Sequence, residues 1–357
     1  MSRQTDADQD RRQRDPESAD KPDSPTDVSG PGWRYTARKA FREFIDDDCT
    51  DLAAALTYYA VLAMFPALIA LFSLLGVVGQ SQATLDAVMP VLGQVVGEEG
   101  ASTLEPVVQS LASSPGAGLA LVLGLLTALW SASGYVNAFS RAMNSVYEIE
   151  EGRPVWKLRP VLLLVTLVML LLVVVVALLL VLSGSVAEAV GDAVGLGSTA
   201  LLVARIAKWP VIVALVVLVV AILYYTTPNV KQPTFRWISV GAIVALVVWA
   251  VASAGFGFYI ATFASYGNTY GSLAGVVIFL LWLWITNLAL LFGAEVDAEL
   301  ERTRELLAGQ HAEEQIQLPP RDDTKIRKDE EKAREDIRQG RELRRDADRD
   351  AGRDTDA

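Results

Sequence analysis

Long uncharged apolar runs alternate with short polar joints along this chain, and the runs set its architecture. The clearest is Gly271 to Ala294, which holds no charged residue and then ends in Glu295, Asp297, Glu299, Glu301, Arg302 and Arg304. At ~1.5 Å per helical residue, such a run crosses a hydrocarbon layer ~30 Å thick. Five other apolar runs are similar, with Arg141 and Lys208 the two charges inside their bounds. The pattern predicts six transmembrane helices over residues 52–78, 119–142, 160–182, 206–225, 237–263 and 271–294. The predicted fold class is therefore all-α: a polytopic membrane domain over 33–304, with polar tails at 1–32 and 305–357.

Polar residues are shared unequally among the spans. The third carries only Thr166, and the fourth is Val, Leu and Ile from Trp209 almost to Tyr224. With no polar face to hide, these two are expected to face lipid. The first, second, fifth and sixth carry the Gly, Ala, Ser, Asn and Tyr, and are expected to pack together. Pro66 predicts a kink in the first span. Before it, Trp33, Ala37, Ala40, Phe41 and Phe44 recur at helical spacing beside Arg34, Arg38, Lys39 and Arg42. That pattern reads as an N-terminal amphipathic interfacial helix, or more plainly as a cytosolic helix feeding the first span. Residues 1–32 hold almost no large apolar side chain and are expected to be disordered. Lys325 to Asp350 mixes charges at close spacing, which fits a solvated helix or disorder.

Composition sharpens this picture. Hydrophobic residues make up 52% of the chain, yet it has 42 acidic and 31 basic residues, so the charges are segregated into tails and joints. That combination excludes an ordinary soluble domain. The single cysteine, Cys49, excludes an intramolecular disulfide and a cysteine metal cluster. The single histidine, His311, lies beyond the last span. No metal, cofactor or catalytic set is expected. The net charge of −11 and the lack of a basic face argue against nucleic acid as a partner. The first fifty residues are polar and show no cleavable leader.

The basic residues predict orientation. Arg34, Arg38, Lys39 and Arg42 precede the first span; Arg141, Arg153, Lys157 and Arg159 join the second to the third; Lys231 and Arg236 join the fourth to the fifth. With six spans all ten fall on one side, and only Arg205 and Lys208 on the other. The positive-inside rule then places both termini in the cytoplasm.

Four segments resemble the YihY/BrkB family of bacterial inner-membrane proteins. They are DLAAALTYYAVLAMFP (Asp51–Pro66), SASGYVNAFSRAMNSVYE (Ser131–Glu148), LYYTTPNVKQPTFRW (Leu223–Trp237) and YGSLAGVVIFLLWLWITNLALLFGAEVDAELER (Tyr270–Arg304). The resemblance covers about 33–304 and implies six spans with cytoplasmic ends in the inner membrane. It implies no defined activity. The family has been linked to envelope function and once carried the label ribonuclease BN. The residues argue against a nuclease, which usually needs clustered metal ligands or a histidine acid–base pair. The protein is accordingly not expected to be an enzyme.

Depth along the spans suggests where chemistry could sit. Asp51, Arg141 and Glu295 fall near the cytoplasmic rim, with Thr57, Tyr58, Asn137, Thr286 and Asn287 one to two turns deeper. One reading is a polar cavity open to the cytoplasm, lined by these five, with Asp51 and Arg141 paired at its mouth. The plainer reading is interhelical hydrogen bonding, with Asp51 as a helix cap and Glu295 as a solvated helix end. Gly271 and Gly275 form a GxxxG step, read as close helix packing and only weakly as a homo-oligomer contact. Two functions stay open: a transporter or permease-like protein for a small solute, ion or lipid, and a non-transporting envelope scaffold or assembly factor.

Overall fold

The apolar runs form helices because, in lipid, a helix satisfies every backbone group within its own segment. A computed structural model describes residues 21–22, 27–78, 117–181, 198–232, 239–262 and 272–355. The described residues contain helices α1 (Gly30–Asp46), α2 (Cys49–Val78), α3 (Ala117–Val146), α4 (Val155–Val181), α5 (Ser198–Thr226), α6 (Val240–Thr262), α7 (Ser272–Leu307) and α8 (Thr324–Thr355). Five of them, α3 to α7, are long and apolar enough to cross a membrane, and Cys49–Met64 of α2 forms a shorter apolar helix. Gly271, the loop at 80–116 and the side chain of Pro66 lie outside the described residues.

The helices follow one another round a ring. Each of α2 to α7 packs on the next, α7 closes against α2 and also touches α3, and α1 lies along α7. The main core sits at one end of this ring. Cys49, Ala53 and Leu56 at the start of α2 meet Phe139 and Met143 late in α3, Leu223 and Tyr224 late in α5, and Ala242 and Ala245 early in α6. Leu291, Ala294 and Ala298 of α7 complete it. Thus α2 and α6 begin, and α3, α5 and α7 end, at this one end. Leu164, Leu171 and Val174 of α4 and Ile206 and Val213 of α5 point outward, as the all-apolar composition of both predicts.

Helix α7 runs 13 residues past Ala294, the end of its uncharged run. Crossing ~30 Å needs only ~20 residues, so α7 is longer than a crossing requires, and its charged stretch begins at Glu295. There α1 covers it. Thr36 and Ala40 are buried, the hydroxyls of Thr36 and Thr303 lie 2.7 Å apart, and Phe44 packs edge-on against Phe292 at 5.6 Å. So α1 gives one face to α7, while Tyr35, Phe41 and Ile45 stay exposed.

Among the described glycines, the close backbone contact is not at Gly275. A Cβ added at Gly275 meets nothing within 4 Å. One added at Gly241 would overlap the carbonyl oxygen of Gly293, and one at Gly293 would overlap that of Gly241. The close approach of backbones is therefore the α6–α7 crossing near the charged end. Local spacing cannot reveal this, because a crossing point is set by two helix axes.

Candidate functional site

Within the spans, a chain of hydrogen bonds ties three helices. Tyr135 Oη on α3 donates to Asn287 Oδ1 on α7 at 2.9 Å. Asn287 Nδ2 donates to Thr57 Oγ1 on α2 at 3.1 Å, and Thr57 Oγ1 donates to the Ala53 carbonyl at 2.8 Å. Each hydroxyl hydrogen has one acceptor, and this order sets the amide orientation. Asn287 is only 3% exposed. The expected meeting of Thr57 with Asn287 is present, as a direct bond rather than across a void.

The other candidates separate. Successive helical residues point ~100° apart, so Thr286 turns to α6, where it accepts from Trp249 Nε1 at 3.1 Å and donates to the Trp282 carbonyl at 2.8 Å. Tyr58 is 61% exposed, its ring edge-on to Tyr59. Asn137 is half-buried, and its carbonyl lies 3.5 Å from Arg141 Nη1. Arg141 sits over the Tyr59 ring at 5.9 Å. No ion pair joins it to Asp51 among the described residues: Asp51 is exposed in the first turn of α2. Sequence reasoning misses Tyr135. The one signal for it is a hydroxyl four residues before Phe139, on a buried face.

We predict that Asp51→Arg and Arg141→Asp will be additive in thermal stability, within ~0.5 kcal/mol in a double-mutant cycle. Coupling well above that would restore the ion pair.

The denser polar assembly lies at the charged end. Arg302, fully buried, donates from Nε to both oxygens of Glu299 at 3.0 Å, from Nη2 to Glu148 Oε1 at 2.7 Å and from Nη1 to the Ala312 carbonyl at 3.0 Å. Glu148 closes α3 in the left-handed region, at φ 49°. Its other oxygen accepts from the Ile316 amide at 3.0 Å. Glu305 accepts from the Gln317 amide at 2.7 Å. Lys21, from the segment expected to be disordered, lies buried and donates to Glu301 at 2.8 Å.

A second knot clamps the chain after α7. The Asn229 backbone amide donates to Asn144 Oδ1, its side chain donates to the carbonyls of Glu150 and Asp322, and its Oδ1 accepts from the Asp322 amide. Arg321 donates to the Val230 carbonyl at 2.9 Å and to the Tyr225 carbonyl at the end of α5. Arg153 joins Glu151, Ser140 and the Thr227 carbonyl. Asp322 accepts from Lys157 Nζ at 2.6 Å. That bond, then those from Thr324, hold its carboxyl down at about 2. Ile316 and Leu318 are buried by this fold-back, and α8 then leaves as an exposed charged helix. The region beyond 305 is thus part platform, part solvated helix. All four family-like segments contribute residues to these contacts.

Among the described residues, no three His, Cys, Asp or Glu side chains gather in a way that could hold a metal ion. His311 is 93% exposed.

The family described as virulence factor BrkB matches residues 40–317. The chain is 31% identical over 254 residues to the ribonuclease-like protein YfkH of Bacillus subtilis, covering 71% of this chain and 90% of that one. It is 28% identical over 195 residues to a UPF0761 membrane protein of Alteromonas mediterranea, covering 54% and 64%. It is 29% identical over 281 residues to another from Ralstonia nicotianae, covering 77% and 60%. The chain therefore spans less than two thirds of these last two relatives. No solved structure matches.

Proposed function

We propose a function from the premise that this chain belongs to the virulence factor BrkB family of membrane proteins: it is a non-transporting envelope scaffold or assembly factor. In this reading it crosses the bacterial inner membrane six times, α2 included, with both termini in the cytoplasm. The shared end of α2 and α7 supports an even count. The placing of ten basic residues on one side supports the orientation. The working part is then the cytoplasmic platform built from α1, the α3–α4 and α5–α6 joints, the end of α7 and residues 310–322. Arg34, Phe41 and Ile45 on the outer face of α1 suit a position at the membrane surface.

One observation carries the reading. Three of the five side chains placed at pathway depth are engaged between helices: Asn287 with Thr57 and Tyr135, and Thr286 with Trp249. A polar side chain that serves a permeation pathway needs free donors or acceptors facing water. Here they bind helix to helix. What the name of YfkH says is said of that protein; among the described residues of this chain no group of His, Cys, Asp or Glu could hold a metal ion.

A permease-like reading for a small solute, ion or lipid keeps one observation in its favour. Tyr58, Asn137 and Arg141 leave a partly open polar strip along α2 and α3. Reconstituted liposomes separate the two. The scaffold reading expects fluxes of ions, small solutes and labelled lipid no faster than in protein-free vesicles. A flux that Arg141→Ala abolishes in folded protein would overturn it.

Replacing Asn287 by Leu is expected to lower stability by ~1–2 kcal/mol, because Tyr135 and Thr57 lose their shared partner. Thermal unfolding in detergent measures this. No change would mean that the three-helix chain contributes nothing.

A further inference from the structure

Where α1 turns into α2, Glu295 is fully buried. Its Oε1 accepts from Cys49 Sγ at 3.4 Å. Its Oε2 is the one buried side-chain nitrogen or oxygen among the described residues that has no hydrogen-bond partner. A buried oxygen left without a partner is costly, the more so when it is charged. Beside it, at the end of α1, lies Asp47, whose carboxyl interacts with that of Glu295. Two carboxylates are two acceptors with no donor between them, so this geometry lacks one hydrogen.

We propose that Asp47 and Glu295 form a proton-binding site, in which a single shared proton bridges the end of α1 to the exit of α7. The bridge supplies the partner that Glu295 Oε2 lacks. The surroundings favour it. Around the pair stand Glu43 and Asp46 on α1, Asp48 in the turn, Glu148 from the α3–α4 joint and Glu299 on α7. All of these repel a second negative charge. The nearby cations are already engaged: Lys39 with Glu43, and Arg302 with Glu299 and Glu148. Burial, then the charges of Glu43 and Glu148, raise the Asp47 carboxyl to about 6. Cys49 donates toward Glu295 and so supports the arrangement, but its thiol reaches only Oε1. No third ligand completes a metal site among the described residues, which leaves a proton as the fitting ligand. The site stands on this geometry alone and does not depend on the scaffold reading.

The pH dependence follows in sign. In the unfolded chain both carboxyls ionise near ~4, whereas the folded pair keeps one proton at higher pH. The folded state then binds more protons, and stability falls as pH rises through the raised value. Functionally, alkaline conditions weaken the tie between the end of α1 and the exit of α7, while the Thr36–Thr303 and Phe44–Phe292 contacts remain.

The full chain in detergent tests this. Infrared spectra at neutral pH should show the carbonyl band of a protonated carboxylic acid, lost in both Glu295→Gln and Asp47→Asn. The melting temperature of the unmodified chain should fall by several degrees between about pH 5 and about pH 10. Glu295→Gln, whose amide donates to Asp47 at every pH, should flatten that fall. If that variant does not fold, Asp47→Asn makes the same bond from the other side and should flatten it equally. Parallel melting curves, or an acid band that persists in both variants, would overturn the site. So would recovery of the alkaline melting temperature on adding sodium, since the ligand would then be a metal cation.

Discussion

Truncating Arg302 to Ala should be among the most damaging single changes in this protein, costing ~3–5 kcal/mol of stability. The guanidinium is fully buried and makes bonds to Glu299, Glu148 and the Ala312 carbonyl. Its removal leaves the buried carboxylate of Glu299 and the partly exposed one of Glu148 without their shared cation. That is the costly way to break a buried pair, because the partner charge stays behind. The damage should also be directional. Glu148 holds the Ile316 amide, and Arg302 holds Ala312, so residues 310–322 lose two of their anchors. We expect a lowered melting temperature in detergent together with new protease cleavage between Gln310 and Asp322. Arg302→Lys should restore only part of the loss, because an ammonium cannot reproduce the planar fork whose three nitrogens reach Glu299, Glu148 and the Ala312 carbonyl at once. A melting temperature unchanged in Arg302→Ala would mean that the platform is not held by this residue.

The second large effect should come from Gly293→Val. Helices α6 and α7 cross with the Gly241 and Gly293 backbones in contact, and a Cβ on Gly293 would stand only 2.6 Å from that of Ala245. Backbone carbonyls cannot rotate away as a side chain can. The helices must therefore move apart, at or above the upper end of the ~1–3 kcal/mol typical of overpacking. Separation would also strain the bonds that use the same crossing: Trp282 Nε1 to Ser253 at 3.3 Å, Trp249 to Thr286, and the Asp297 carboxylate on the Gly241 amide at 2.6 Å. The control is Gly275→Val, which should be tolerated because nothing lies within 4 Å. Folded yield and melting temperature, compared for the two variants, decide the matter. Equal damage from both would contradict the crossing point.

Part of the candidate site is legible in the sequence. Topology gives depth, and depth is enough to bring Thr57 and Asn287 together. It cannot assign faces. Adjacent residues Thr286 and Asn287 go to different neighbours, and Tyr135 holds the place expected for Asn137. The run from Glu295 to Glu305 reads as a solvated helix end, since carboxylates at such spacing usually are. What buries it comes from elsewhere: α1 on one side, residues 310–322 on another, and Lys21 far upstream. Local pattern carries no trace of partners so distant in the chain.

The solvent in which this chain lives is written in its residues. Uncharged runs of helical length can be stable only where lipid or protein surrounds them, so the class, an all-helical membrane protein with several long apolar helices, follows from transfer energies summed over short windows. Which polar groups meet is a property of the packed bundle. Hydrogen bonds and backbone approach depend on ångström-scale placement between helices, which no sum over neighbours in sequence contains. That is why the glycine crossing, the Arg302 clamp and the unpartnered oxygen of Glu295 exist only once the helices are assembled.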